Sequence, residues 1–320
     1  MARFIVRRLV GMVAVLFAVS LIVFVVFNIV PNTNPAQLLA GKNADAQLIA
    51  SIEEEWGFND SLPEQYFSMM EKVFTGELTS YKPRIPVDEQ IIERIPTTLS
   101  LSIGAAIIWL AFGLVLGYLS AKRAGGWLDR LLGGVAIAGV SIPVFLLGPV
   151  LIYVFATKLE IFPNGGYVPL EEDPVEWLNH LILPWFTLAI LSIGFYSRVL
   201  RSNMLDVMNE DYVRTARAKG LSESKVMRRH VLRNSLIPII TLFGLDFGAT
   251  IAGTAILTEV IFSLNGVGSY AAEAVGNFEL PPVMGVTLYG AFLVVFINAL
   301  VDVAYAYLDP RVRLGETASA

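Results

Sequence analysis

The sequence predicts an all-α protein that crosses a membrane with six transmembrane helices. Of its 320 residues, 55% are hydrophobic and only 16% are charged. The mean hydropathy is +0.63, far from the averages of soluble globular domains. Six apolar windows are each long enough, at about 20 residues, to cross a hydrocarbon core of roughly 30 Å as helices. Lysine and arginine gather in alternate connections between these windows, the asymmetry expected of a polytopic chain.

The first window, Leu9 to Val30, is too long for the apolar region of a signal peptide and has no A-x-A cleavage site, so it reads as a retained span. Asn32 to Pro96 is a long mixed segment with two candidate helices, Ala46 to Glu55 and Pro63 to Phe74. The second of these spaces Tyr66, Phe67, Met70 and Phe74 as a helix would. Pro83 to Pro86 breaks the chain, after which Val87, Ile91, Ile92 and Ile95, leading to Pro96, predict a short amphipathic helix entering the second span. The second span is Leu99 to Ala121 and the third Gly133 to Thr157. Lys158 to His180 contains Pro163, Gly165, Gly166, Pro169 and Pro174 and reads as turns without a regular core. Leu181 to Leu200, Ile237 to Phe262 and Val283 to Leu308 complete the set. The organisation is therefore a terminus and first span (1–30), a large loop (31–96), a five-span core (97–308) interrupted by a basic loop (201–236), and a tail (309–320). There is no internal repeat and no low-complexity tract.

Orientation follows from the cations. Of the 23 lysines and arginines, only Lys42, Lys72, Lys82, Arg84, Arg94 and Lys158 fall on the side opposite the termini, among many acids. Cytoplasmic loops hold the excess of positive charge, so both termini and the loop after the fourth span are expected in the cytoplasm. The chain is expected in the cell membrane, in contact with the lipid bilayer. The net charge of −5 comes from the outer loops.

The loop itself reads as helix, glycine turn, helix. Arg201 to Lys219 holds few helix breakers, and Gly220 follows where a left-handed residue would end a helix. Ser222 is a candidate N-cap, with Glu223 in the first turn where the helix dipole favours an acid. The second helix would run to about Asn234, with Pro238 opening the fifth span. Tyr212, Ala216 and Lys219 or Gly220 share a stripe, and Arg214, Arg217, Arg228 and Arg229 supply charge. Such a loop suits three roles: contact with lipid phosphates, a helix-turn-helix for DNA, or docking of a cytoplasmic engine. The membrane spans tied to both of its ends disfavour DNA, and no nucleic-acid partner is expected.

The run Asp211-Tyr-Val-Arg-Thr-Ala-Arg-Ala-Lys-Gly220-Leu-Ser, followed by His230-x-x-Arg-Asn-Ser-Leu-Ile-Pro238, resembles the cytoplasmic coupling loop of bacterial ABC importer permeases, closest to the dipeptide and oligopeptide branch. The family motif is Glu-Ala-Ala, three residues, then Gly; Arg214, Thr215 and Ala216 stand in its first three places here and Gly220 in the last, so only the second Ala and the Gly are kept. The resemblance extends to Phe4-Ile-Val-Arg-Arg8-Leu, Leu62-Pro63-x-Gln65-Tyr66, Gly76, Pro86-Val87, Arg94-x-Pro96-Thr-Thr-Leu99-Ser-Leu and His180-Leu-Ile-Leu-Pro184. Glu259-x-Ile-Phe262 with Gly266-x-Gly268, Asp302, and Leu308-Asp-Pro-Arg311-Val-Arg313 continue it. The resemblance implies the MetI-like permease fold of type I ABC importers. It also implies a second homologous permease, two ATPase subunits that bind ATP and Mg, and an extracytoplasmic binding protein. It places Tyr212, Arg214, Thr215, Ala216, Arg217, Gly220, Leu221 and Ser222 in an ATPase cleft, with Ala216 permitting close approach and Arg214 and Arg217 meeting acids. The substrate it implies is a di- or oligopeptide, although relatives of this style also move nickel, glutathione or oligosaccharides.

The residues themselves contain no enzyme. The P-loop spacing G-x-x-x-x-G-K-[ST] is missing; the one Gly-Lys pair, Gly41-Lys42, is followed by Asn43. No cofactor or metal is expected: cysteine is absent, and the two histidines, His180 and His230, fall on opposite membrane sides. His180 reads as a hydrogen-bonding residue near the outer interface. Ionisable groups within spans are expensive and mark a pathway or a pairing. Asp246 lies between Gly244 and Gly248, a small-residue pair that permits close helix packing. Asp246, Asn298, Glu259 and Asp302 are candidate pathway residues; Glu259 and Asp302, near span ends, also suit hydration or local pairing. Gly113 and Gly117 read as helix-packing positions. A secondary transporter carrying a proton on Asp246 or Glu259 is the competing function.

Overall fold

The computed structural model describes residues 2–26, 36, 46–81, 84–277 and 279–308. The end of the first predicted span at Val30 and the tail 309–320 lie outside the described residues, among which there are helices and no strand, only an isolated bridge between Thr79 and Pro86. In order these are α1 (Ala2–Phe24), α2 (Ala46–Trp56), α3 (Leu62–Thr75), α4 (Val87–Lys122), α5 (Trp127–Ser141) and α6 (Val144–Leu151), which runs on as a π-helical stretch Ile152–Lys158. There follow α7 (Pro174–Met208), α8 (Asp211–Ala218) and α9 (Glu223–Val226), the last continued through Met227–Leu232 and Arg233–Ser235. Finally come α10 (Ile237–Ala249) with its π-helical extension Thr250–Thr254, α11 (Ile256–Ile261), α12 (Val267–Gly276) and α13 (Leu280–Leu308).

Among the described residues, four helices are long and apolar enough to cross a membrane: Val87–Lys122, Pro174–Met208, Ile237–Thr254 and Leu280–Leu300. Leu9–Phe24 is a shorter apolar helix, and α5 and α6 form a pair bent by 97°. The predicted third span is thus broken rather than straight. Pro143 has no N–H to give to a helix and crowds the residue before it, so Ile142 leaves the helical region at φ −87°, ψ 118°. Pro96 has no such effect: the amphipathic stretch before it enters the second span without a break, both lying in the 36-residue α4. In a membrane helix the packed neighbours tolerate one missing N–H.

The longest contact of the bundle is between α4 and α7, and it depends on missing side chains. A Cβ at Gly104 would collide with the Trp185 ring, and one at Gly113 would stand 2.9 Å from Tyr196 Cβ. At Gly117 it would stand 2.7 Å from the Ser197 carbonyl oxygen. Trp185 Nε1 donates to the Ser100 carbonyl at 2.9 Å, and buried Trp109 stacks on Tyr196 with centroids 6.3 Å apart. At one end of this pair, Asp129 of α5 accepts from Arg201 Nε at 2.6 Å and Nη2 at 2.7 Å. It also accepts from the Ser120 hydroxyl and from the Gly125 N–H at 2.8 Å. One nearly buried carboxylate therefore ties α4, α5 and α7 together, with every lone-pair direction occupied, the condition under which a buried charge is tolerated.

Candidate functional site

Two residues, Asn209 and Glu210, separate the end of α7 from α8, whose placement follows from two apolar side chains. Val213 and Ala216, three apart, are both buried in the hydrophobic cluster that also holds Met204, Val226, Met227 and Val231. Tyr212, Arg214 and Thr215 are exposed on the other side. The chain stops helical winding at Lys219 and turns at Gly220, whose φ of +78° suits glycine and strains any residue with a Cβ. The Gly220 N–H donates to the Arg217 carbonyl at 2.9 Å, and the Leu221 N–H to the Ala216 carbonyl at 3.4 Å, closing the helix end. Ser222 has the extended backbone of an N-cap, φ −60°, ψ 143°, without a side-chain cap bond. The predicted first helix is in fact interrupted at Asn209 and Glu210; the predicted second helix runs to Ser235.

Two arginines have local partners. Arg217 Nη2 and Nε donate to Glu223 at 2.9 and 3.1 Å, bracing the Gly220 turn, while Nη1 reaches the Met208 carbonyl at 3.4 Å. This hydrogen bonding holds the Glu223 carboxyl below the usual carboxylate range and pushes Arg217 up. Arg214 is paired to Asp211 at 3.3 Å but stays 68% exposed. Asn234 Nδ2 donates to the Tyr212 hydroxyl at 2.9 Å, fastening α8 to the end of the α9 segment. Two expectations for this loop change. Ala216 lies on the inward face, where it lets α8 approach its own bundle, and Arg217 meets an acid of its own loop. The exposed face is Tyr212, Arg214, Thr215, Lys219, Gly220 and Ser222, with Leu221 half-buried.

The structure separates the candidate pathway residues. Asp246 is half-buried and accepts from the Tyr196 hydroxyl at 2.8 Å. Gly248 brings α10 against α13, with a hypothetical Cβ 3.7 Å from Ile297 and from the Val294 Cα. Asn298, on the same helix, is half-buried with an Oδ1 that has no hydrogen-bond partner. Asp302 falls in α13, but its side chain is outside the described residues. Glu259 is fully buried and locally paired. Its carboxylate accepts from Thr98 Oγ1 at 2.7 Å and from the Ser269 N–H at 2.8 Å. It thereby caps the N-terminus of α12, where an anion is favoured. Thr98 in turn accepts from the Val267 N–H at 2.9 Å. Gly266 and Gly268 leave no room for a Cβ beside this carboxylate. The guanidinium of Arg94 hydrogen-bonds Asn265 and lies 4.9 Å from the Tyr270 ring centroid. His180 Nδ1 is 2.8 Å from the Glu176 carbonyl, the hydrogen-bonding role read for it.

Sequence reasoning did not single out Thr98, Asp129 or Tyr196. Thr98 stood within the Arg94-x-Pro96-Thr-Thr motif, and Asp129 was an acid in an otherwise basic connection; these were the available signals.

The bundle, its broken third span and the short helix at its end can be set beside known proteins. A family model described as binding-protein-dependent transport system inner membrane component matches residues 113–314. The N-terminal model of the same transport-system membrane component matches residues 1–102. The chain belongs to this family. It is a multi-pass inner membrane component of a binding-protein-dependent transport system. It is 38% identical over 98% of its length to the whole of a probable peptide ABC transporter permease protein of Sinorhizobium fredii. It is 36% identical to a probable D,D-dipeptide transport system permease protein of Escherichia coli, covering 97% of each chain. It is 35% identical to a glutathione transport system permease protein of Escherichia coli, covering 98% of this chain and 99% of that one. Among solved structures it resembles a chain of an amino acid ABC transporter crystallised with histidines. The TM-score there is 0.53 at 15% identity, covering 69% of this chain and 94% of the other. A chain of the inward-facing MetNI methionine ABC transporter gives a TM-score of 0.52 at 15% identity, covering 70% and 96%. At that identity the likeness concerns the fold, which is the MetI-like permease fold the sequence predicts.

Proposed function

We propose that this chain is one of two permease subunits of an ATP-driven importer. In this reading both termini are cytoplasmic, and the chain forms half of a pathway for di- or oligopeptides delivered by an extracytoplasmic binding protein. The observation that supports it most is α8. It is a short helix whose inward residues, Val213 and Ala216, belong to the bundle core, while Tyr212, Arg214 and Thr215 face outward beside the Gly220 turn. A helix exposed in this way and fused to the bundle underneath can receive a push from a docked partner. The partners are two ATPase subunits, which bind ATP and Mg and close on α8. The chain supplies the lever and the wall of the pore. Arg214 offers the docked surface a guanidinium suited to two-point pairing with a carboxylate. The basic loop is read as cytoplasmic because the lysine and arginine excess lies on its side of the membrane. The peptide substrate is supported by the names of the relatives.

Reconstitution with the partner permease, ATPase subunits and binding protein tests the reading. Arg214→Glu and Gly220→Trp are expected to abolish ATP-driven uptake while the permeases remain assembled in the membrane. Undiminished uptake, or uptake driven by a proton gradient without ATPase subunits, would overturn it and favour a secondary transporter. Mass spectrometry of the ligand retained by the co-purified binding protein tests the substrate: a peptide mixture supports the proposal, and nickel or an oligosaccharide refutes that part of it.

A further inference from the structure

The segment before the second span builds a cavity of two characters. One part, of about 760 Å³, lies between α1, α3, α4 and α13 and is apolar, walled by residues such as Phe17, Phe67, Phe74, Ile91, Leu288 and Phe292. Several of these walls are open: Phe17 is 60% exposed, Phe67 70% and Phe74 83%. The second part, of about 280 Å³, has a mixed lining, in which Asp60, Gln65, Glu77 and Arg84 stand beside apolar residues such as Phe58 and Leu280. Lys72 and Leu78 line both parts. Lys72 therefore stands where the apolar groove meets the mixed pocket. Asp88 also lines the groove, and its carboxylate lies over the left-handed Gly76 that ends α3. Among the described residues no ion pair joins Lys72 to Asp88 or to any other acid. Two opposite charges thus share one rim without neutralising each other.

Since the chain is an inner membrane protein, an apolar groove open sideways between its first and last apolar helices is filled by whatever surrounds it. Helix α3 has the character of an interfacial helix: Tyr66 and Met69 pack on Val23, Phe24 and Met284, while Phe67 and Phe74 are exposed on the same helix as Lys72. A tail-shaped apolar groove ending in a charged rim matches an amphiphile. A cation and an anion on that rim match a headgroup that carries both charges.

We propose that this groove is a binding site for one zwitterionic phospholipid, with an acyl chain along Phe17, Ile91 and Leu288, its phosphate on Lys72 and its ammonium toward Asp88. A net-anionic headgroup would meet Asp88 unfavourably and bind less well. The lipid fills the space under α3 and holds that helix on the bundle.

The test uses the full transporter, purified in mild detergent, with tightly held lipids identified and counted by native mass spectrometry after exchange into phosphatidylethanolamine, phosphatidylglycerol or an equal mixture. The expected result is one retained phosphatidylethanolamine per chain, preferred several-fold over phosphatidylglycerol. Lys72→Glu, a change at a half-buried rim position, is expected to cut retention at least fivefold, and Leu288→Trp to remove it by filling the groove. The preference is expected to invert toward phosphatidylglycerol in Asp88→Lys. Equal retention of the two lipids, or unchanged retention in Lys72→Glu, would overturn the proposal. The chain has no cysteine, so Phe74→Cys gives a unique attachment point. Its cross-linking to a second permease chain in place of lipid would also overturn it, by showing that protein covers the groove.

Discussion

Replacing Thr98 by valine removes one hydroxyl and little volume, and the structure indicates what that hydroxyl does. Thr98 is 1% exposed and Glu259 fully buried. The hydroxyl donates to Glu259 at 2.7 Å and accepts from the Val267 N–H at 2.9 Å. A hydrogen bond to a charged group contributes about 1.5–3 kcal/mol, and a buried N–H left without an acceptor costs about 1–3 kcal/mol. The two losses overlap, because Glu259 keeps its bonds from α12, so the expected cost is about 3 kcal/mol, roughly a hundredfold in the folding equilibrium. The assay is unfolding of the purified chain in mixed micelles by titration with denaturing detergent. Thr98→Ser keeps both hydrogen bonds and loses only a methyl, so it is expected to cost about 1 kcal/mol. A Thr98→Val chain within 0.5 kcal/mol of the parent, or a serine variant as damaged as the valine one, would refute the idea that this hydroxyl links α4 to α12.

Further predictions follow from other contacts. Asp129→Asn breaks the two-point bond to Arg201. Because Arg201 is 34% exposed, the expected loss is about 2 kcal/mol, below the range for a fully buried pair; a double-mutant cycle with Arg201→Gln in the same assay should recover most of it as coupling. Gly104→Ala drives a methyl into the Trp185 ring and is expected to cost about 1–3 kcal/mol, visible as an earlier unfolding midpoint and a changed tryptophan emission. The Arg217 and Glu223 pair gives a pH dependence. Glu223 has its folded pKa below the ordinary carboxylate value, so its contribution is present above about pH 4.5 and disappears as pH falls through the depressed folded value. With side chains 36% and 58% exposed, that contribution is only a few tenths of a kcal/mol. It is best followed through the ¹⁵N shift of Arg217 Nε, which should move on acidification and stay flat in Glu223→Gln.

The spans were legible because hydrophobicity over some twenty residues is a one-dimensional signal. The break at Pro143 was not, since a sum over an apolar window does not register a single missing N–H. The stripe through Tyr212 and Ala216 was readable from helical spacing, but spacing does not say which side of a stripe faces inward; Val213, adjacent to Tyr212 and three residues from Ala216, decides that. The bond between Arg217 and Glu223 crosses a glycine turn, where the three- and four-residue spacing of helices no longer applies. The motifs around Arg94 and Glu259 were visible separately. That Thr98 and Glu259 touch, 161 residues apart, depends on how α4 and α11 pack, which neither motif states. Local pairing was among the readings for Glu259, and full burial with three helices around it is the form that pairing takes.

The cluster under α8 has a mechanical meaning. Val213 and Ala216 share one close-packed set with Met204 and Leu200 of α7, and through Tyr196 with Trp109 of α4. Close-packed protein interiors have low compressibility. A helix seated in such a set has almost no slack, so a displacement imposed on it is passed on rather than absorbed as local deformation. Arg217 spans the turn, bonded to Glu223 beyond it and to the Met208 carbonyl behind it. Under the proposed function, the stroke delivered to the spans should nearly equal the stroke received at the surface, and loosening the cluster by one or two methylene groups should shorten the delivered stroke before it weakens the fold.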